Sequence, residues 1–305
     1  MNTDFPEDIF SSPSNTSLYK YKLEQGNNIC KTKSIFFCGI GRNIEANLDL
    51  NIQRLHRTGS MFKSYKIFIY ENDSNDNTLE ILQKNRSNKL TFLSEHREDQ
   101  DYLSKIKSGE DTWHYNRCIV LSECRNKYLS YIESVDEKFD YICVLDLDLC
   151  GGWSYDGIKH GIFTLEHDKS YAAATSYGVL ADKFNTLALE DASKNEYVMY
   201  DSFAFRPKNW NLGLHLLSTP AFNSVRVNRG DDPIEVHSNF GGMAIYKQDA
   251  LLNKRYGAKQ WAYGYVDPDH VVLHNQMVQD GWKIIFDPSM IVSYSHHKYS
   301  KVIND

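Results

Sequence analysis

The stretch that decides the fold reads Tyr141-Ile142-Cys143-Val144-Leu145-Asp146-Leu147-Asp148. Its first five residues are apolar and partly β-branched or aromatic, which predicts a buried strand. Two carboxylates follow at the strand's end, where burying an unpaired one costs several kcal/mol or forces it to take up a proton. Mg²⁺ or Mn²⁺ removes that cost and leaves positions open for phosphate oxygens. Asp146 and Asp148 thus predict a metal-bound diphosphate site, and two solvated loop carboxylates are the alternative that the triplet alone leaves open.

Outward from this stretch, strand-like runs alternate with helical patterns. The strand-like runs are 34–40, 65–70, 90–93 and 141–145, and helical spacing follows the first run and recurs over 112–134. This alternation predicts an α/β sandwich with a mostly parallel central sheet. Ligands of open sheets bind at the carboxyl ends of the strands. Gly41-Arg42, the polar loop 71–76 and the Asp146/Asp148 pair all lie at those ends.

The domain organisation is predicted to be simple. Residues 1–32 are polar and weakly periodic, so we expect an N-terminal tail that can be partly disordered. Residues 33–298 contain no Pro- or Ser-rich linker, internal repeat or low-complexity block, which predicts a single domain. Within this domain, we expect 33–149 to be a half that binds a nucleotide and 150–298 to be a half that binds an acceptor substrate.

Charge and composition argue against several classes of protein. The 305 residues carry a formal net charge of -6, so no general basic surface is present for nucleic acid or anionic lipid. No apolar run approaches the roughly 20 residues of a membrane span, and the polar N-terminus lacks the apolar stretch of a secretory signal. The six cysteines show no Cys-x-x-Cys spacing, which favours free thiols in a reducing compartment. We therefore expect a cytoplasmic protein without a transmembrane segment or nucleic-acid partner.

Two loops are candidates for contacts with a nucleotide. Glu71 and Asp73 have carboxylate oxygens that can accept hydrogen bonds from ribose hydroxyls or a base imide N–H. Helix capping alone also explains a loop rich in Asp, Asn and Ser. Arg42, with Gly41 in the loop after the first strand, is a candidate for binding the diphosphate.

Arg125 has an unusual position on the helix predicted over 112–134. It falls inside the apolar stripe of that helix, and an inward guanidinium needs anions. The Asp146/Asp148 site and its diphosphate are the nearest candidates, and both match the guanidinium geometry. A side chain that snorkels at the edge of the stripe is the alternative.

The C-terminal third contains further candidates. Gly242 follows another glycine before a strand-like run, which permits either close backbone approach to a ligand or a tight turn. Asp267 and Asp269 flank a proline at a predicted helix start, where they are either general bases or residues that the helix dipole favours.

The end of the chain has a cluster of a different kind. His296 and His297 follow the strand-like run 290–292. A neutral histidine can complete a metal site, and Lys298 can bind a phosphate. A surface histidine pair is the alternative.

Several of these segments resemble those of a known family. The segments are Glu71-Asn72-Asp73-Ser74-x-Asp76-x-Thr78, Arg125-Asn126, Asp146-x-Asp148, Tyr200–Arg206, Ser238–Ala244, Asp269-His270-Val271 and Gly281–Pro288. In this order they resemble the GT-A-fold nucleotide-sugar glycosyltransferases. More narrowly, they resemble the fungal capsule-type α-1,3-mannosyltransferase family and its bacterial and viral relatives. The likeness spans about 33–298, although that family often has a Glu-Ser-Gly-Ser type of loop at 71–74.

The resemblance implies a GT-A (Rossmann-like) α/β/α sandwich and a metal-dependent glycosyltransferase. The donor would be GDP-mannose or a UDP-sugar, and the acceptor a glycan or glycoconjugate. Asp148, with Asp146, would hold Mn²⁺ or Mg²⁺, and His296 or His297 would supply a further ligand. Arg125 would stabilise charge on the leaving diphosphate. An inverting enzyme would use one of the two aspartates beside the proline as base, whereas in a retaining enzyme the leaving phosphate could accept the proton.

Two other functions stay open from the sequence. A nucleotidyltransferase acting on sugar phosphates usually has a Gly-rich loop with Lys or Arg after the first strand, and Gly39-Ile40-Gly41-Arg42 is short for that purpose. A non-catalytic nucleotide- or glycan-binding module on a decayed transferase fold is the other, and the intact carboxylate pair argues against it.

Overall fold

The computed structural model describes residues 4–7, 10, 12–97, 113–181, 197–209, 227–261 and 266–294. Over these residues, helices pack on both faces of one large mixed sheet. The α/β class and the mostly parallel central sheet predicted from the sequence are confirmed.

The elements have the following bounds. The strands are β1 (Ser34–Gly41), β2 (Ser64–Asn72), β3 (Leu90–Glu95), β4 (Tyr141–Leu145), β5 (Gly152–Trp153), β6 (Tyr171–Ala181), β7 (Tyr197–Met199), β8 (Arg206–Pro207), β9 (Ile234–Ser238), β10 (Met243–Lys247), β11 (Lys259–Gln260), β12 (Val266–Asp267) and β13 (Lys283–Ser293). The helices are α1 (Thr16–Cys30), α2 (Glu45–Gly59), α3 (Thr78–Asn85), α4 (Trp113–Ser134), α5 (Tyr155–His167), α6 (Gln248–Leu251) and α7 (Asp269–Gln279). None of these helices combines the length and the apolar character that crossing a membrane requires.

The main sheet has the strand order β3-β2-β1-β4-β10-β6-β13-β9-β8. β1 pairs in parallel with β2 and with β4, and β6 pairs in parallel with β13. β10 runs antiparallel between β4 and β6, so the parallel strands on its two sides point the same way. Gly41 pairs with Glu71 where β1 and β2 end. The loops after β1, β2 and β4 therefore lie along one edge of the sheet.

β4 shows why its apolar run predicts a buried strand. Tyr141, Cys143 and Leu145 belong to the apolar cluster that includes residues of α2 and α5. Ile142 and Val144 belong to the cluster on the other face, which includes residues of α4 and α7. A parallel strand covered on both faces has no solvated side, so it reads as a continuous apolar run.

The polar tail predicted over 1–32 is wrong for Thr16–Cys30, which forms α1 and packs against α5. A Cβ added at Gly26 would lie 1.9 Å from the carbonyl oxygen of Lys159, so the two helices approach closely at this glycine. Only three of the fifteen residues in α1 are buried. The composition of the segment therefore resembles that of a solvated chain even though one side of the helix is docked.

Candidate active site

A cleft with a volume of about 370 Å³ lies where β1, β2 and β4 end. Six of the residues predicted for the site line it: Gly41, Arg42, Arg125, Asp146, Asp148 and Asp269. The parallel strands β1 and β4 end at the cleft and bring Gly41, Arg42, Asp146 and Asp148 there. Helices α4 and α7 supply Arg125 and Asp269. The volume lies within the range of ordinary ligand sites.

Asp146 is held in one orientation by its neighbours. Tyr294 Oη donates a hydrogen bond to Asp146 Oδ2 at 2.6 Å, and Arg125 Nη2 donates to Oδ1 at 3.3 Å. The backbone N–H of Asp146 donates to the carbonyl of Gly242 at 2.9 Å. Because both carboxylate oxygens accept a hydrogen bond, the side chain is pre-oriented towards any ligand in the cleft.

Gly242 does not line the cleft but contacts two residues of the site, Tyr294 and Asp146. Its φ is +95°, and an added Cβ would lie 2.4 Å from the hydroxyl oxygen of Tyr294. A residue without a Cβ is therefore required if Tyr294 is to reach Asp146. Of the two roles that the sequence leaves open, the structure shows the tight turn, in which Met243 N donates a hydrogen bond to the carbonyl of Phe240 at 3.3 Å.

Asp148 differs from Asp146 in its surroundings. The residue is exposed, but its side chain lines the cleft. Apart from its own backbone N–H, no donor among the described residues contacts its carboxylate. Desolvation in the cleft and, second, the charge of Asp146 raise the pKa of Asp148 to about 6. A nearby cation strongly stabilises the ionised form of a carboxylate that is desolvated and repelled by another carboxylate.

The Asp146/Asp148 pair fits a hard divalent cation on chemical grounds. Oxygen ligands suit Mg²⁺ and Mn²⁺, and a cation would relieve the repulsion that raises the pKa of Asp148. Within the described ranges, no group of three or more His, Cys, Asp or Glu side chains forms a complete metal site. His296 and His297, predicted as further metal ligands, and Lys298, predicted to bind a phosphate, lie outside the described residues.

Arg125 lies between two carboxylates. Its Nε donates to Asp269 Oδ2 at 2.6 Å while Nη2 donates to Asp146. Burial alone would lower the pKa of Arg125, but the charge of Asp269, among other neighbours, raises it well above its ordinary value. Its Nη1 is buried and has no hydrogen-bond partner among the described residues. One nitrogen of a permanently charged guanidinium at the cleft is therefore buried without an acceptor.

Of the two aspartates proposed as general base, Asp267 does not reach the cleft. Arg206 Nη2 donates to its Oδ1 at 3.0 Å, and Trp261 Nε1 donates to its Oδ2 at 2.6 Å. Because both oxygens of this buried carboxylate are engaged, the structure argues against Asp267 as base. Asp269 lines the cleft and is paired with Arg125.

The carboxylates of Glu71, at the end of β2, and of Asp73, in the loop after it, contact the protein rather than the cleft. Glu71 is buried and accepts a hydrogen bond from Ser94 Oγ. Asp73 is hydrogen-bonded to His96 Nδ1 at 2.6 Å. Neither carboxylate lines the cleft, whereas Asn72 does. The structure therefore gives Glu71 and Asp73 a role in fixing the loop, in place of the predicted contacts with ribose or base.

Asp201 and Arg117 line the cleft although neither was predicted as a site residue, and Asp201 lies in the resembling segment Tyr200–Arg206. Asp201 has a φ of 63°, and Gly241 N donates to its Oδ2 at 3.3 Å. Burial and then the charges of Asp146 and Asp269 raise the pKa of Asp201 to about 7. Arg117 lies two turns before Arg125 on α4, so helical spacing could have identified it. Nothing periodic marks Asp201.

Comparison with known proteins shows similarity in fold. No protein-family model and no curated protein matches the chain. The chain is similar to the structure of a mannosyltransferase from Pyrobaculum calidifontis in complex with GDP-Man and Mn²⁺, with a TM-score of 0.50 and 12% sequence identity. The match covers 93% of this chain and 65% of that one, so the chain spans less than two thirds of the mannosyltransferase's length.

A second similar structure is glucosyl-3-phosphoglycerate synthase from Mycobacterium tuberculosis. It has a TM-score of 0.45 and 10% identity, over 96% of this chain and 81% of that chain. At such identities, similarity to the mannosyltransferase concerns the fold alone. It confirms the predicted GT-A arrangement of a central, mostly parallel sheet between helices.

Proposed function

We propose that the chain is a metal-dependent glycosyltransferase, which moves a hexose from a nucleoside-diphosphate sugar to a hydroxyl group of a glycan or glycoconjugate. The observation that carries this proposal is the Asp146/Asp148 pair, which follows β4 in a cleft shared with Arg125. The mannosyltransferase of similar fold was solved with GDP-Man and Mn²⁺. Mn²⁺ or Mg²⁺ bound with a donor diphosphate would supply the positive charge that this carboxylate pair lacks.

The two carboxylates have different proposed roles. Asp148 is the direct metal ligand, because its carboxylate is free of other residues' donors among the described residues. Asp146, oriented by Tyr294 and Arg125, contacts the metal through water or contacts the donor itself. His296 or His297 as a further metal ligand and Lys298 as a phosphate contact remain part of the proposal. The metal, when bound, neutralises charge on the leaving diphosphate.

In the proposed transfer, the bond between the anomeric carbon and the diphosphate oxygen breaks, and a bond to the acceptor's hydroxyl oxygen forms. Arg125, whose Nη1 has no hydrogen-bond partner among the described residues, stabilises the charge that develops on the diphosphate. The hydroxyl proton passes to Asp269 in an inverting reaction or to the leaving phosphate in a retaining one. The resemblance to capsule-type mannosyltransferases favours retention and makes GDP-mannose the first donor to examine.

Calorimetric titration with GDP and with UDP, each in the presence and absence of Mn²⁺, tests the donor site. We expect one nucleotide to bind, and to bind much more tightly with the metal. Failure of both nucleotides to show metal-dependent binding would overturn the proposed function.

A donor screen that measures released nucleotide from UDP-, GDP- and dTDP-sugars then tests catalysis. Asp148→Asn should abolish the release. The matched control is Asp140→Asn. Asp140 immediately precedes β4, at the end of the strand away from the cleft, and accepts a hydrogen bond from Ser34 N at 2.8 Å. Equal loss of release in both variants would show that the effect is on folding and not on the cleft.

A further inference from the structure

His270 is a buried cleft residue without a hydrogen-bond partner. It is the second residue of α7, is 2% exposed and lines the cleft. Neither of its ring nitrogens has a partner among the described residues. The ring stacks on Phe240, with centroids 3.7 Å apart and an interplanar angle of 15°. The imidazole is therefore packed by its flat face, and both of its buried nitrogens are left without a hydrogen bond.

His274 shows that the fold can satisfy a buried histidine at this place. It lies one turn further along α7 and is also fully buried. Its Nδ1 is 2.9 Å from Ser238 Oγ, and its Nε2 is 2.8 Å from Tyr246 Oη. It does not line the cleft. Since leaving a buried polar group unpaired is costly, the contrast indicates that the partner of His270 is a molecule in the cleft.

The position of His270 in the cleft indicates which part of a donor it would meet. It follows Asp269, which accepts a hydrogen bond from Nε of Arg125, while Asp146 accepts one from Nη2. The guanidinium carbon lies 5.3 Å from the ring centre of Phe240, on which His270 stacks. One guanidinium thus separates the proposed diphosphate site from His270. The ends of β1 and β2, where a nucleoside would bind in a fold of this kind, also line the cleft.

On the basis of the proposed function, we infer that His270 determines donor specificity by hydrogen-bonding a hydroxyl group of the transferred sugar. A neutral imidazole has one donor and one acceptor nitrogen, which is complementary to a hydroxyl group. Burial and then the charge of Arg125 hold the pKa of His270 well below its ordinary value, which keeps the ring neutral. Asp269 and the free Nη1 of Arg125 add an acceptor and a donor for neighbouring hydroxyls.

His270→Phe is the decisive variant, because it keeps a flat ring against Phe240 and removes both nitrogens. Affinities for GDP, UDP, GDP-mannose and UDP-glucose, all with Mn²⁺, would be measured by calorimetry. In the wild type, we expect one nucleotide sugar to bind more tightly than its nucleotide. In the variant, affinity for that nucleotide sugar should fall by about tenfold, while affinity for the bare nucleotide stays unchanged.

Thermal unfolding separates this role from a structural one. Since the nitrogens of His270 have no protein partner among the described residues, His270→Phe should leave the Tm unchanged or raise it. His274→Phe is the matched control, because it removes two hydrogen bonds and should lower the Tm without changing the affinity ratio of nucleotide sugar to nucleotide. His270→Asn, which retains a donor and an acceptor, should recover part of the lost affinity.

The outcomes distinguish the inference from the proposed function. If the wild type binds neither nucleotide with Mn²⁺, the proposed function fails, and the inference fails with it. If nucleotides bind but a nucleotide sugar gains nothing over its nucleotide, or if His270→Phe keeps the wild-type affinity ratio, the inference alone is overturned. A variant that loses transfer at an unchanged ratio also overturns it, because His270 would then act on the acceptor.

Discussion

Replacing Asp148 with asparagine removes one charge from the cleft and keeps the size of the side chain. Desolvation and the charge of Asp146 raise the pKa of Asp148 from 3.8 to about 6. A raised carboxylate pKa means that the ionised group disfavours the folded state, and this penalty is present above pH 6 and absent below pH 4. The shift corresponds to roughly 3 kcal/mol. Because the residue is exposed, solvent screening reduces it to about 1 kcal/mol.

The metal-free variant should therefore melt at the wild-type temperature or about 2 °C above it at pH 7.5. The response to ligand should be the opposite. At a concentration of 100 times the Kd, GDP with Mn²⁺ stabilises a protein by about 2.7 kcal/mol. For a chain of 305 residues, that is a rise in Tm of about 4 °C. We expect this rise in the wild type and its complete loss in Asp148→Asn, measured by differential scanning calorimetry.

Asp146→Asn is the control within the same motif. Asp146 accepts hydrogen bonds from Tyr294 and from buried Arg125, so its loss should lower the metal-free Tm by about 2–5 °C. The reasoning would be refuted if Asp148→Asn lowered the metal-free Tm as much as Asp146→Asn, which would make Asp148 structural. It would also be refuted if Asp148→Asn kept the ligand-induced rise.

Three further predictions concern pH and two glycines. Calorimetry of GDP with Mn²⁺ should show affinity falling about tenfold for each pH unit below 6, because a proton on Asp148 then competes with the cation. Urea unfolding of Gly242→Ala should show a loss of about 1–3 kcal/mol, since the added Cβ meets Tyr294 at a φ of +95°. Gly26→Ala should destabilise by about 1–3 kcal/mol in the same assay, because the Cβ meets the backbone of Lys159, whereas in a free helix it would stabilise by about 1 kcal/mol.

Each of these three predictions has an outcome that contradicts it. Affinity for GDP with Mn²⁺ that stays constant between pH 5 and pH 8 would show that Asp148 does not hold the metal. A Gly242→Ala variant as stable as the wild type would mean that Tyr294 can move without cost. A stabilised Gly26→Ala variant would show that α1 is not docked on α5 in solution.

The periodic parts of the fold were the most predictable from the sequence. The apolar run of β4 and the helical pattern over 112–134 predicted elements that the structure contains. A strand buried on both faces has a continuous apolar sequence, and a helix buried along one stripe has apolar residues at helical spacing. α1 escaped prediction, because docking through a glycine and few buried residues leaves almost no apolar pattern.

The candidate site was predictable only where local pattern and chemistry coincide. Arg125 was identified because a charge inside an apolar stripe is anomalous within one helix, and the structure places it against two carboxylates of the cleft. Asp201 and His270 lie in segments that resemble the family, but neither was predicted as a site residue, because neither departs from a local pattern. Glu71 and Asp73 were predicted to contact a ligand. Their partners in the structure, Ser94 and His96, lie in β3 and the loop after it, so the neighbouring sequence does not reveal them.

The sequence by itself determined the strand–helix alternation and the presence of a carboxylate pair after β4, because both are written in the order of neighbouring residues. The tertiary structure alone decided which carboxylates remain able to bind a cation. Asp267 meets Arg206, 61 positions earlier, and Asp269 meets Arg125, 144 positions earlier, whereas Asp148 meets no such partner among the described residues. The charge state and availability of a carboxylate depend on desolvation and on the charges around it, which are properties of its position in space.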